Sequence, residues 1–168
     1  METVYLGLGS NEGDSEKILT EAIGNLGKIL KRIRVSSLWK TFPQDFEAQP
    51  DFLNLVIEGE TYSDPHVLLS LITRIEAAAG RNRAQEIQKG PRSLDIDILL
   101  FGQHILDYAD LTVPHPRLCN RRFVLIPLLE LAPAIRNPTT GTPLLDVLAR
   151  LPPQGIYLLH PHGYDIFI

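Results

Sequence analysis

The chain has 168 residues, 44% of them hydrophobic, and a formal charge of −4, which fits a single domain over 1–168 with a real core and is a poor balance for general nucleic-acid binding. No run of about 18 apolar residues occurs and METVYLGLGS has no charged segment followed by an apolar one, so neither a membrane span nor a secretion signal is expected, and the chain reads as cytoplasmic. Cys119 stands alone, which excludes a disulfide framework or a cysteine-based zinc site and reads as a small buried apolar residue.

In chain order, Thr3 to Leu8 is a strand candidate, with Gly7, Gly9 and Asn11 read as a tight strand-to-helix turn. Asp14 can cap a helix whose apolar positions Ile18, Ala22, Leu26, Ile29 and Ile33 recur at helical spacing. Val35 to Thr41 and Phe52 to Glu60 read as the second and third strands. The loop between them, TFPQDFEAQPD, is too long for a hairpin turn and is a candidate functional loop. Ser63 or Asp64 before Pro65 starts a helix that runs to Gly80. After a basic segment comes a strand, then Gly102 turns the chain towards His104 to Tyr108. LTVPHPRL is a proline-stiffened loop, and RRFVLIPLLELAP is a helix that Pro127 starts or kinks and Pro133 ends. Pro143 to Ala149 is a short helix candidate. Hairpin-like and crossover connections together predict an α+β sandwich, with helices on a largely antiparallel sheet.

The strand in GPRSLDIDILLFG raises the question of chemistry. Leu94, Ile96, Ile98 and Leu100 alternate with Ser93, Asp95, Asp97 and Leu99, which predicts four apolar side chains on one face and two carboxylates on the other. Residues two apart on a strand lie about 6.6–7 Å apart on the same side. Two carboxylates so placed repel unless cations compensate them, and Mg²⁺ with substrate phosphates is a natural partner. A solvent-facing edge would also explain an Asp-x-Asp strand, so the neighbourhood decides. Arg81, Arg83, Lys89 and Arg92 lead into the strand against a single Glu86, and His115, Arg117, Arg121 and Arg122 follow it. Carboxylates for a metal plus several guanidinium groups are what polyphosphate chemistry requires. No GxxxxGK[ST] segment or protein-kinase set is present. GLGSNEG has GxGxxxG spacing and no acidic strand end about 20 residues later, which argues against a dinucleotide fingerprint.

Five segments in order, GLGSN (7–11), QPDFLN (49–54), IEAAAGRNR (75–83), GPRSLDIDILLFG (90–102) and LTVPHPRLCNRRFVLIPLLELAP (111–133), closely resemble the 6-hydroxymethyl-7,8-dihydropterin pyrophosphokinase family of folate biosynthesis. The resemblance covers residues 3 to 135. It implies a ferredoxin-like sandwich, ATP as co-substrate, two Mg²⁺, and transfer of the pyrophosphoryl group to the pterin hydroxymethyl oxygen with release of AMP. It also implies roles. Asp95 and Asp97 would hold the metals and, with Arg81 and Arg92, form the catalytic set. Arg81, Arg83, Arg92, Ile98, Thr112, His115 and Arg121 would bind ATP. Thr41, Pro43, Phe52, Asn54 and Phe123 would bind the pterin, the two phenylalanines by stacking.

The segment from Gly80 to Pro91 is expected to be a mobile loop that orders over phosphates. Gln44, Asp45 and Lys89 depart from the family pattern, and the tail 152–168 lies outside the resemblance. In that tail HPHG carries too few ligands for a metal site. The expected partners are small molecules, with no nucleic acid or membrane, and the chain is expected to be a monomer. Two rival readings are an NAD(P)-dependent oxidoreductase and a noncatalytic ferredoxin-like module that binds ligand without turnover.

Overall fold

A computed structural model describes residues 1–42, 49–81 and 91–161. Strand β1 (Glu2–Ser10) is followed by α1 (Ser15–Leu26), β2 (Lys31–Val35), β3 (Leu38–Thr41), β4 (Phe52–Thr61), α2 (Pro65–Ala78) and β5 (Asp95–Phe101). The short β6 (Leu106–Asp107) and β7 (Thr112–Val113) pair with each other; α3 (Arg122–Leu131), α4 (Leu144–Arg150) and β8 (Ile156–His160) complete the chain. The main sheet runs β5-β1-β4-β3-β8, with β2 also pairing with β4, and its ladders are antiparallel. Two β-α-β halves interleaved in this order make the ferredoxin-like α+β sandwich, as expected.

Each face of the sheet buries its own helices. Val4, Leu6 and Leu8 of β1 and Ile96 and Ile98 of β5 pack against Leu19, Ile23 and Leu26 of α1 and Leu68 and Ile72 of α2. The other face packs Val56, Leu99 and Leu100 against Val124, Leu125 and Leu128 of α3 and against Leu144. Asp14 and Asp64 cap α1 and α2, their side chains accepting from Lys17 N and His66 N. Pro127 sits inside α3 rather than starting it.

The structure corrects several expectations. Helix α1 stops at Leu26, and Ile33 belongs to β2 although it keeps helical spacing. The strand expected over Val35 to Thr41 is broken at Ser36 and Ser37. There Ser36 N still donates to Val56 O at 2.9 Å, but the Ser36 hydroxyl accepts from Val56 N at 2.9 Å and Glu130 of α3 accepts from Ser37 N at 2.8 Å, so side chains take over part of the ladder at the break. Gly7 and Gly9 lie within β1 rather than in a turn; the turn uses Gly13, with φ +77°. Leu100 does not share a face with Ile96 and Ile98. The register of β5 against β1 slips at Leu99, pairing Leu6 with Ile98 and Tyr5 with Leu100, and this bulge moves Leu100 to the α3 side. Cys119 is half-buried and accepts from Asn137 Nδ2 at 3.3 Å. The start of the tail is part of the sheet, with β8 pairing along β3.

Candidate active site

Strand parity builds the floor of the site. Asp95 and Asp97 of β5 pair with Gly9 and Gly7 of β1, and on the other side of β1 Gly9 pairs with Asn54 of β4. Phe52, Asn54 and Val56 therefore share the α3 face with the two aspartates, and the glycines between them leave that face open. A Cβ on Gly9 would stand 3.2 Å from Asn54 Oδ1, and one on Gly7 would stand 3.3 Å from the Leu99 side chain. Above this floor lies a cavity of about 360 Å³, which Thr41, Phe52 and Asn54 line at one end, Arg92, Asp95 and Asp97 at the other, and Arg121 and Phe123 from the α3 side. Arg117 and Asn120 also line it.

The charges are organised in two clusters. In the first, Asp95 accepts from Arg81 Nη1 at 2.6 Å and from Arg92 Nη1 at 2.7 Å. Burial pushes the Asp95 carboxyl up, but the Arg92 and Arg81 guanidinium groups outweigh it and hold the group below its ordinary value. Arg81 also pairs with Glu76, a carboxylate of α2 that is only 1% exposed and accepts from Ile96 N at 2.9 Å. In the second cluster, Asp97 Oδ2 lies 3.4 Å from His115 Nε2 and 3.4 Å from Arg121 Nη1. His115 Nδ1 accepts from Arg117 N at 3.1 Å, so in the neutral ring the proton is on Nε2, facing Asp97. Burial lowers the His115 pKa, and the attraction of Asp97 does not restore it. Burial and the neighbouring Arg117 likewise lower that of Arg121. Cationic groups crowded at a partly desolvated wall create a site that favours an incoming anion.

At the other end, Asn54 Nδ2 donates to Thr41 Oγ1 at 2.9 Å, which restrains an amide that lines the cavity. The Arg121 guanidinium lies 5.4 Å from the Phe123 ring centre, a cation–π contact linking the charged and aromatic ends.

Of the expected residues, the fold brings Arg92, Asp95, Asp97, Arg121, Thr41, Phe52, Asn54 and Phe123 to one cavity, with Arg81 and His115 behind the aspartates. It does not bring the Ile98 side chain there, because Ile98 points into the core on the opposite face. Thr112 lies on β7, outside the cavity lining. Pro43 and Arg83 lie outside the described residues, as do Gln44, Asp45 and Lys89, residues 82–90 of the expected loop, and His162 of HPHG.

Three contributors were missed. Asn11, which is buried, accepts from Arg92 N at 2.8 Å and donates from its backbone to Arg92 O at 3.0 Å, while its Nδ2 donates to Gln49 Oε1 and Pro50 O, both at 3.1 Å. It thereby ties the two flanking loops to the end of β1. Glu76 continues the Leu68–Ile72 stripe at a spacing of four, and a carboxylate on an apolar stripe was the available signal. Arg117, in the sequence only one member of a basic cluster, lines the cavity. The dinucleotide reading has no support, because Gly7 and Gly9 lie within β1, between the antiparallel neighbours β4 and β5, and not in a turn at the start of α1.

A family model described as 7,8-dihydro-6-hydroxymethylpterin-pyrophosphokinase matches residues 5–133. A 2-amino-4-hydroxy-6-hydroxymethyldihydropteridine pyrophosphokinase of Bacillus subtilis is 41% identical over 139 residues, covering 82% of this chain and 82% of the relative. A folic acid synthesis protein of Schizosaccharomyces pombe is 42% identical over 156 residues, 92% of this chain but 21% of the relative, so the chain spans about a fifth of that longer protein. Among solved structures, a triple mutant of Plasmodium falciparum HPPK-DHPS aligns over 89% of this chain and 43% of that one, with a TM-score of 0.71 at 16% identity, a likeness of fold. The matched span takes in the whole cavity lining, from Gly7 to Val124, and this chain belongs to the 7,8-dihydro-6-hydroxymethylpterin-pyrophosphokinase family.

Proposed function

We propose that this chain, working as one domain, transfers the pyrophosphoryl group of ATP to the hydroxymethyl oxygen of 6-hydroxymethyl-7,8-dihydropterin, giving AMP and the pterin diphosphate ester. The observation that carries this reading is one cavity in which paired aspartates and arginines meet an aromatic and amide end. A flat heterocycle with amide-like edges needs stacking faces and a polar edge contact, which Phe52, Phe123 and Asn54 supply. A polyphosphate needs forked cations and metal-bridging carboxylates, which Arg81, Arg92, Arg121, Asp95 and Asp97 supply.

The donor set fits Mg²⁺. Among the described residues no group of three or more His, Cys, Asp or Glu side chains is arranged to hold a metal, and Mg²⁺ commonly takes one or two carboxylates and completes its shell with phosphate oxygens and water. Asp95 and Asp97 would hold two such ions, which supply neutralisation of the phosphate charge. Both Asp95 oxygens already accept guanidinium hydrogen bonds. Binding the nucleotide would therefore exchange partners: Arg81 and Arg92 would turn from Asp95 to phosphate oxygens, leaving the carboxylate able to hold a metal. His115 and Arg121 make the same exchange from Asp97. The pterin hydroxyl oxygen attacks the β-phosphorus in line as the bond from that phosphorus to the α,β-bridging oxygen breaks, its electron pair leaving on AMP and the hydroxyl proton passing to solvent. The chain contributes alignment and charge neutralisation more than proton transfer.

Turnover of Mg·ATP with the pterin, in the wild type and in Asp97→Ala, tests the reading. The variant should keep its circular dichroism spectrum and lose turnover. Near-normal turnover would contradict the two-metal assignment, and ligand binding without turnover in the wild type would favour a binding module.

A further inference from the structure

The N-terminus of α3 carries Arg121 and Phe123, yet its capping residue cannot cap it. Arg121 occupies the N-cap position with φ −122° and ψ 103° and makes no side-chain capping bond, as a guanidinium has no acceptor to offer. The acceptor comes from far along the chain. Gln154 Oε1 accepts from Arg122 N at 2.8 Å, while Gln154 Nε2 donates to Asn120 O at 3.0 Å. These two contacts grip the peptide planes on either side of the Arg121 Cα, so one carboxamide restrains the φ and ψ that aim the Arg121 side chain.

Gln154 is itself held at both ends. Arg122 Nη1 donates to Leu148 O at 3.2 Å and Leu151 O at 3.0 Å, and β8 begins at Ile156 on the edge of β3. It also lies beyond residues 5–133, the span of the family match. We infer that Gln154 is a positioning residue for the phosphate wall, acting through the Arg121 backbone to hold the guanidinium between Asp97 and Phe123. This rests on the reading of Arg121 as a phosphate contact.

A double-mutant cycle on the full chain tests it, with affinity for the α,β-methylene analogue of ATP and Mg²⁺ measured by calorimetry in the wild type, Gln154→Ala, Arg121→Ala and the double variant. Gln154→Ala should weaken binding about tenfold in the wild-type background and less than about twofold when Arg121 is already Ala. Gln154→Glu keeps the acceptor for Arg122 N but cannot donate to Asn120 O, and should fall between the wild type and Gln154→Ala. An equal loss in both backgrounds would overturn the inference, since it would mark a general loosening. So would unchanged affinity in Gln154→Ala when Arg121→Ala itself loses affinity. The Arg121 Nε–H resonance of the ligand-free protein separates the two readings. It should shift in Gln154→Ala, and an unchanged resonance overturns the clamp. A shifted resonance together with full affinity in Arg121→Ala would uphold the clamp and overturn only the phosphate role.

Discussion

Replacing Glu76 tests whether the site rests on a buried ionic foundation. The Glu76 carboxylate is 1% exposed, accepts from Ile96 N at 2.9 Å and pairs with Arg81, whose side chain is 7% exposed. Glu76→Ala strips the Ile96 N–H of this acceptor, at a cost of about 1–3 kcal/mol for a buried donor. Orphaning one member of a buried ion pair costs about 3–5 kcal/mol; here roughly half of that applies, because Asp95 remains 2.6 Å from Arg81. The combined loss is about 2.5–5.5 kcal/mol, a large share of the roughly 5–15 kcal/mol that stabilises a typical domain. The melting temperature should drop by roughly 5–22 °C. Glu76→Gln retains an oxygen for Ile96 N and loses only the charge, so about 1.5–2.5 kcal/mol should go. Urea unfolding followed by circular dichroism measures both. A Glu76→Ala variant within about 1 kcal/mol of the wild type, or a Gln variant as damaged as the Ala variant, would refute the reasoning.

Gly9→Ala should separate stability from binding: a strand alanine restricts the unfolded chain and stabilises by up to about 1 kcal/mol, while its methyl stands 3.2 Å from Asn54 Oδ1. Pterin affinity should fall about fivefold with no loss of melting temperature, and a loss of both would point to a packing role instead. Arg92→Ala leaves the backbone bonds to Asn11 in place, so kcat should fall roughly 10²–10³-fold with pterin affinity nearly unchanged. A defect confined to pterin affinity would contradict the role given to it. At alkaline pH, burial and Glu58 push the Tyr5 phenol up to about 12. The folded chain keeps this proton where the unfolded chain loses it, so stability is fully present below pH ~10 and declines as pH rises towards ~12. Urea midpoints at about pH 9 and about pH 11 should converge in Tyr5→Phe, and equal slopes in the two proteins would rule Tyr5 out.

What could be read in advance followed from local pattern. Period-two alternation places Asp95 and Asp97 on one face, and the same parity puts Phe52 and Asn54 in reach of that face once β1 lies between them. The capping aspartates and Pro65 mark their helix starts through chemistry confined to one turn. What was missed depends on distant partners. Helical spacing extends to Ile33, yet pairing with β4 claims that residue for a strand. The bulge at Leu99 exists only relative to β1, so nothing in DIDILLF announces it. The Ser36–Ser37 break needs Glu130 of α3, and the Gln154 contacts join residues more than thirty positions apart. Gly7 and Gly9 resembled turn residues, since glycine supplies both conformational freedom and the absence of a side chain; here the second matters.

The central claim is tested most directly by identifying the products after mixing the protein with Mg·ATP, with and without 6-hydroxymethyl-7,8-dihydropterin. The account predicts AMP and a pterin carrying two phosphates, formed only when the pterin is present. ADP with a singly phosphorylated pterin would contradict it, because attack would then fall on the γ-phosphorus and the paired aspartates would serve an ordinary kinase.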